Sequence, residues 1–245
     1  EAHLAAREVE PAAGCFVPAF AIARRMGRKA EQLHLLTLLA QSRLALGLRG
    51  VAAECLVEAV PLARELERPA VELAALRQLG QMRAEAGRPL EAGQCYEQAL
   101  RVSEQLGDEQ AAADILTQLA ACQLALGRPR AAAFDLRTVL LLRNGAAPKG
   151  ERLLVTLRLA EAERRAGNTA DAVRSADVAL ALSRETGDER GELAALLQLA
   201  AAYDEEGAAE AARDAYSHAL RLGRKTGDRE AEAPVLRRLG DFYLE

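Results

Sequence analysis

A 40-residue step runs through the whole chain and limits its fold more than any other feature. The clearest copy is residues 191–230, GELAALLQLAAAYDEEGAAEAARDAYSHALRLGRKTGDRE. One helix-like apolar run ends at Gly207, and a second begins near Ala209 and closes at Gly227-Asp228. Full copies fill 31–70, 71–110, 111–150, 151–190 and 191–230. Residues 1–30 read as the end of a preceding copy and 231–245 as the start of a further one. Within each copy apolar residues recur at spacings of three and four, the mark of one buried helix face. Leu196, Leu199, Ala200 and Tyr203 make one such stripe, and Ala212, Tyr216 and Ala219 another. Gly207 between them can take the left-handed conformation that ends a helix. The step therefore predicts two helices of about 16 residues joined by short turns.

Small side chains hold fixed phases. Positions 40, 80, 120, 160, 200 and 240 are always Ala or Gly, and positions 52, 92, 132, 172 and 212 are always Ala. A small residue lets a neighbouring backbone approach, and a large one four positions on, such as Leu56 or Tyr96, fills the adjoining gap. Each hairpin leaves an apolar face that only the next can cover, so the hairpins must stack. Pro11 suits the first turn of a helix. Pro18 and Pro61 fall inside predicted helices and should bend them. Asn144-Gly-Ala-Ala-Pro-Lys-Gly150 replaces the usual closing turn, predicting a second helix about one turn shorter and a longer loop.

Composition narrows the classes of function. Half the residues are hydrophobic but only 3% are aromatic, with no Trp, so the core is mostly Ala and Leu. The net charge of −4 lacks the basic excess expected of a nucleic-acid-binding face. No apolar run reaches the roughly 18 residues that mark a membrane span, and the N-terminus has no secretory character. Without an initiator Met, and with its last residues inside a repeat, the sequence is expected to be a piece of a longer protein. Cys15, Cys55 and Cys95 share one phase, occupied by Asp135, Ser175 and Ala215 in later copies. Repeat-equivalent positions lie too far apart for a disulfide, so all four cysteines, Cys122 included, are expected to be reduced, as in a cytoplasmic protein.

Chemistry-bearing motifs are missing. There is no phosphate-binding loop, no dinucleotide fingerprint, no His-Glu-x-x-His and no Cys-x-x-Cys. His3, His34 and His218 sit in separate copies at different phases. Pairs such as Glu205-Glu206 read as solvated helix ends. The clusters Arg24, Arg25, Arg28, Lys29 and Arg221, Arg224, Lys225, Arg229 sit where helix dipoles favour cations. Neither catalysis nor a metal or other cofactor is expected.

Leu196, Leu199, Ala200, Tyr203, Ala212, Tyr216 and Ala219 have a spacing similar to the tetratricopeptide repeat motif, and the resemblance extends over the whole chain. The family's leading Trp is Leu here, or Thr156 in one copy. Its next aromatic persists at Tyr203 and Tyr243 and gives way to Arg43, Arg83, Gln123 and Glu163 elsewhere. The usual period of 34 residues is lengthened here to 40. HEAT and armadillo arrays share a period near 40 without this Ala/Gly phase.

The resemblance implies an all-α protein, a right-handed superhelical α-solenoid of helix-turn-helix repeats, whose first helices line a concave groove. By phase the groove candidates are His34, Thr37 and Gln41; Arg77, Gln78 and Gln81; Thr117 and Gln118; Arg158 and Glu161; and Gln198. It implies a non-catalytic module that binds a protein or peptide in that groove, or other domains of its own parent chain, without direct nucleic-acid or membrane contact. Open array ends would permit homo-oligomers. The Thr-Gly-Asp turns followed by Glu-rich helix starts resemble arrays of bacterial multidomain transcription regulators of the antibiotic-regulatory, STAND type. The Ala/Arg/Leu/Gly-rich composition suggests a GC-rich bacterial genome. A stand-alone scaffold or adaptor, and the substrate-recruiting array of an enzyme such as a protease, are the competing readings.

Overall fold

A computed structural model describes residues 2–143 and 147–244, leaving aside the side chains of 2–9, 12 and 231. Twelve helices and no strand occur among the described residues. In order they are α1 (Ala2–Arg25), α2 (Lys29–Ala45), α3 (Arg49–Glu65), α4 (Pro69–Glu85), α5 (Pro89–Leu106) and α6 (Glu109–Ala125). There follow α7 (Pro129–Leu142), α8 (Lys149–Arg165), α9 (Thr169–Thr186), α10 (Glu189–Glu206), α11 (Ala209–Thr226) and α12 (Arg229–Phe242). They form two compact halves, residues 1–122 and 123–245. Each even-numbered helix is the first of a repeat and each following odd-numbered helix the second. The first helices begin two residues before the boundaries drawn from the sequence.

The turns follow from glycine. Gly27, Gly47, Gly87, Gly107, Gly127, Gly167, Gly187, Gly207 and Gly227 all take positive φ, between 66° and 80°. At Gly107, Gly187, Gly207 and Gly227 that residue directly caps a helix C-terminus. In the Gly-Asp turns the aspartate then caps the next helix. Asp108 accepts a hydrogen bond from the Ala111 N–H and Asp188 from the Gly191 N–H, both at 2.9 Å. Glu67 is the exception, holding φ at 52° where Gly27, Gly107, Gly187 and Gly227 stand in other copies. A side chain in the left-handed region costs about 1 kcal/mol or more. Glu67→Gly should therefore raise stability by about 0.5 kcal/mol, net of the extra unfolded-chain entropy of glycine. Urea melts of the two proteins check this.

The core consists of the predicted phases. Ala40, Ala52, Ala59, Ala92, Ala99, Ala132, Ala176, Ala179, Ala200 and Ala212 are all fully buried. Gly80 shows why the phase is small: a Cβ built there would lie 2.8 Å from a Tyr96 ring carbon, inside van der Waals contact. Burial pushes the Tyr96 phenol from its ordinary 10.0 up to about 12.

Three expectations need correction or completion. Pro11 does not open a helix; α1 begins at Ala2, so Pro11 lies inside it together with Pro18. The second helix of the third copy is shortened as expected: α7 has 14 residues against 18 in α5 and α9. Residues 144–146 of the loop that follows lie outside the described residues. All four cysteines are free, with Cys95 and Cys122 buried, Cys55 half-buried and Cys15 exposed. Burial raises the thiol pKa of Cys55, Cys95 and Cys122.

Candidate functional site

Polar residues enter the interior at a repeated place. The first-helix phase that held an aromatic in the sequence motif faces a second-helix residue twelve positions on. Arg83 Nη1 donates to Cys95 Sγ at 3.2 Å, and Ser175 Oγ donates to Glu163 Oε2 at 2.6 Å. Glu163, on α8, is 1% exposed. Its other oxygen accepts from Arg137 of α7 twice, at 3.1 Å from Nε and 2.7 Å from Nη2. Arg137 Nη2 also donates to Asp171 of α9 at 2.6 Å. This two-carboxylate clamp ties α7, α8 and α9, and its hydrogen bonds, first that to Glu163, raise the Arg137 pKa further. Only the Glu163 carboxylate is buried, so the pair's attraction is set against the cost of desolvating that one charge.

The first-helix face carries the surface features. In the N-terminal half, His34, Gln41, Arg77, Gln81 and Gln118 are exposed and Thr37, Gln78 and Thr117 half-buried. Arg77 reaches Asp114 of α6 at 3.5 Å, and Gln81 donates to Glu85 at 3.0 Å. Thr37 and Thr117 spend their hydroxyls on the carbonyls of His34 and Ala113, which lowers their value as ligand donors.

In the C-terminal half a 380 Å³ cleft opens between α8, α10, α11 and α12. Leu197, Ala201, Pro234 and Val235 give it an apolar surface, and Arg164, Asp204, Glu205, Arg237 and Arg238 give it charge. Arg164 of α8 pairs with Glu205 of α10 at 2.5 Å and donates to Gln198 Oε1 at 3.5 Å. Asp204 of α10 accepts two hydrogen bonds from Arg238 of α12. The Arg238 guanidinium lies 4.7 Å from the centre of the Phe242 ring, whose neighbour at 6.2 Å is Tyr216. Burial raises the Tyr216 phenol, with Asp204 acting in the same direction. Arg158 and Arg237 are exposed and outside these pairs.

Of the residues expected from the sequence, Arg158, Glu161 and Gln198 fall in this half, and Gln198 borders the cleft through Arg164. Glu161 is engaged by Arg165 at 3.2 Å. The charged residues of the last helical turn, Arg164, Asp204 and Glu205, were not among the candidates. Glu205 keeps the exposed position expected of a helix end, and its carboxylate also pairs with Arg164. The signal was available, since opposite charges occupy the same phase in consecutive copies at Arg164 and Asp204. Among the described residues no group of three or more His, Cys, Asp or Glu could hold a metal ion. No described helix is long and apolar enough to cross a membrane.

This tandem helical architecture defines a class of repeat modules that typically bind other proteins. Residues 71–140 match the tetratricopeptide repeat family, and the chain as a whole has the tetratricopeptide-type fold. No curated protein matches the sequence. Among solved structures the chain is similar to the STAND protein (signal transduction ATPase with numerous domains) with a tetratricopeptide repeat sensor from Pyrococcus horikoshii. That likeness has a TM-score of 0.67 at 16% identity and covers 100% of this chain and 38% of that one. BtubC from P. vanneervenii superposes with a TM-score of 0.64 at 22% identity, over 89% of this chain and 92% of that chain. A Rap protein complexed with competence and sporulation factor gives a TM-score of 0.52 at 14% identity, over 94% and 71%. At these identities the likeness is one of fold.

Proposed function

We propose that this chain is a non-catalytic sensor array of a bacterial multidomain transcription regulator, and that it binds a peptide or protein segment on its first-helix face. The observation that carries this reading is the cleft between α8, α10 and α12, where an apolar surface is bordered by salt-bridged arginines and carboxylates. Side-chain pairs across the cleft hold its walls in place, so binding would require little reordering. Arg158 and Arg237 add exposed guanidinium groups suited to bidentate carboxylate recognition. Support for a sensor comes from the fold shared with the Pyrococcus horikoshii STAND protein, and support for a peptide ligand from the fold shared with the Rap complex.

The test uses peptides selected against this chain from a random display library. Arg158→Ala combined with Arg237→Ala should weaken the selected peptides about tenfold, within the range of one or two lost charge-assisted hydrogen bonds. Ala201→Trp, which fills the cleft, should abolish capture. Helical circular dichroism should be unchanged in both. Peptides that bind the three proteins equally would refute the assignment of the face.

A further inference from the structure

A larger cleft lies elsewhere, within the N-terminal half, and the function above does not use it. It has a volume of 550 Å³ and sits where the start of α3 runs beside the end of α4 and the start of α5. That size falls within the span of ordinary ligand sites, about 300–1,000 Å³. Ala53 and Val57 of α3, Leu79 and Met82 of α4, and Ala86 just beyond α4 make its apolar surface. Val57 is 48% exposed, a large aliphatic face left open to water.

The charges around it are unevenly satisfied. Arg49 pairs with Glu85 at 2.6 Å, and Arg83 and Arg88 reach Glu91 at 3.6 and 3.8 Å. Arg83 and Arg88 share that one carboxylate, so the lining sets three arginines against four glutamates. Glu54 and Glu58, one turn apart on α3, are exposed and take part in none of these pairs. Burial raises the pKa of the half-buried Cys55 thiol between them; Glu58 and Glu54 add to the rise and Arg43 opposes it. Like charges four residues apart cost a helix a few tenths of a kcal/mol. Here they flank an open aliphatic side chain.

The repeats supply an internal control. The residues equivalent to Gly50 are Leu90, Arg130, Ala170 and Glu210. Those equivalent to Val57 are Glu97, Arg137, Asp177 and Ser217. Neither Gln94 and Gln98 nor Phe134 and Thr138 reproduce the paired carboxylates. This copy alone joins a bare lip, an open valine and two adjacent acidic groups. A Cβ at Gly50 would meet nothing within 4 Å, so the opening at that position is real space.

We infer that this cleft is a second docking site, for a cationic amphipathic peptide segment of a partner protein. An aliphatic side chain of the segment would enter between Val57 and Met82, and Lys or Arg residues one turn apart would meet Glu54 and Glu58. The balance of charge matters, because the one carboxylate in excess lies on the Glu54 and Glu58 side of the opening, which no lining arginine pairs.

The probe is a fluorescein-labelled 14-residue leucine/lysine amphipathic peptide, followed by fluorescence anisotropy with the full chain. Glu54→Gln with Glu58→Gln should raise its Kd about tenfold, and Gly50→Leu, which copies Leu90, should raise it at least as much. Glu97→Gln with Glu104→Gln removes the same charge from α5 and should change Kd less than twofold. Ala201→Trp on the first-helix face should leave it unchanged. The inference is overturned if both cleft variants bind like the parent protein, or if the α5 variant weakens binding equally, which would mark attraction to net charge alone. It is also overturned if octylammonium competes at the peptide's own concentration, which would assign the cleft to a small cation.

Discussion

Arg137→Ala is expected to lower the free energy of unfolding by about 3 kcal/mol. The loss does not measure what the ion pair contributes; it reflects Glu163 left charged and 1% exposed with only Ser175 for a partner. Arg137 itself is half exposed, so truncating it creates little cavity. Replacing Glu163 by Gln in the Arg137→Ala background removes the stranded charge and should restore about 1 kcal/mol or more. Urea denaturation of the three variants measures both steps. An Arg137→Ala protein as stable as the parent would mean that water reaches Glu163.

Gly80→Ala is expected to destabilise the chain by about 1–2 kcal/mol, although alanine is the better helix former by about 1 kcal/mol. The added methyl would meet the Tyr96 ring at 2.8 Å, and Tyr96 is 3% exposed, so the ring has nowhere to turn. The chain contains its own remedy. In the preceding repeat Ala40 shares a core cluster with Leu56, and in a later one Ala160 shares a cluster with Ala176. Tyr96→Leu combined with Gly80→Ala copies the Ala40–Leu56 arrangement and should recover most of the loss. A double-mutant cycle in urea gives the coupling, expected at about 1–2 kcal/mol. Simple additivity of the two changes would show that the ring yields.

The sequence was most informative where one rule repeats. Gly107, Gly187 and Gly227 announced their turns because only a residue without Cβ holds that backbone at low cost. Ala52 and Ala92 announced the helix contacts because their size is the constraint. The interior polar contacts were harder to see. Arg83 and Glu163 stood out only as replacements for an aromatic, and Cys95 and Ser175 only as tolerated small residues. Each makes physical sense with its partner, and the partners change chemistry from copy to copy, so no single column reveals them. The cleft of the C-terminal half was not legible in the sequence. Helix phase singled out Gln198 and Arg158, neither of which lines the cleft, whereas its own Arg164, Asp204 and Glu205 act through pairs between helices 34 or more residues apart.

The buried clamp has a consequence for how similar segments find their neighbours. Repeats built on one template risk joining in the wrong order, within one chain or between two. At the depth of Glu163 the other first helices present Arg43, Arg83, Gln123 and Tyr203. Only when α7 lies on α8 does Arg137 meet a carboxylate at that level. Every other arrangement would leave its half-exposed guanidinium beside another cation, an amide or a ring. The clamp therefore works as an address written in charge, which rejects the wrong neighbour among helices that shape alone would treat as interchangeable.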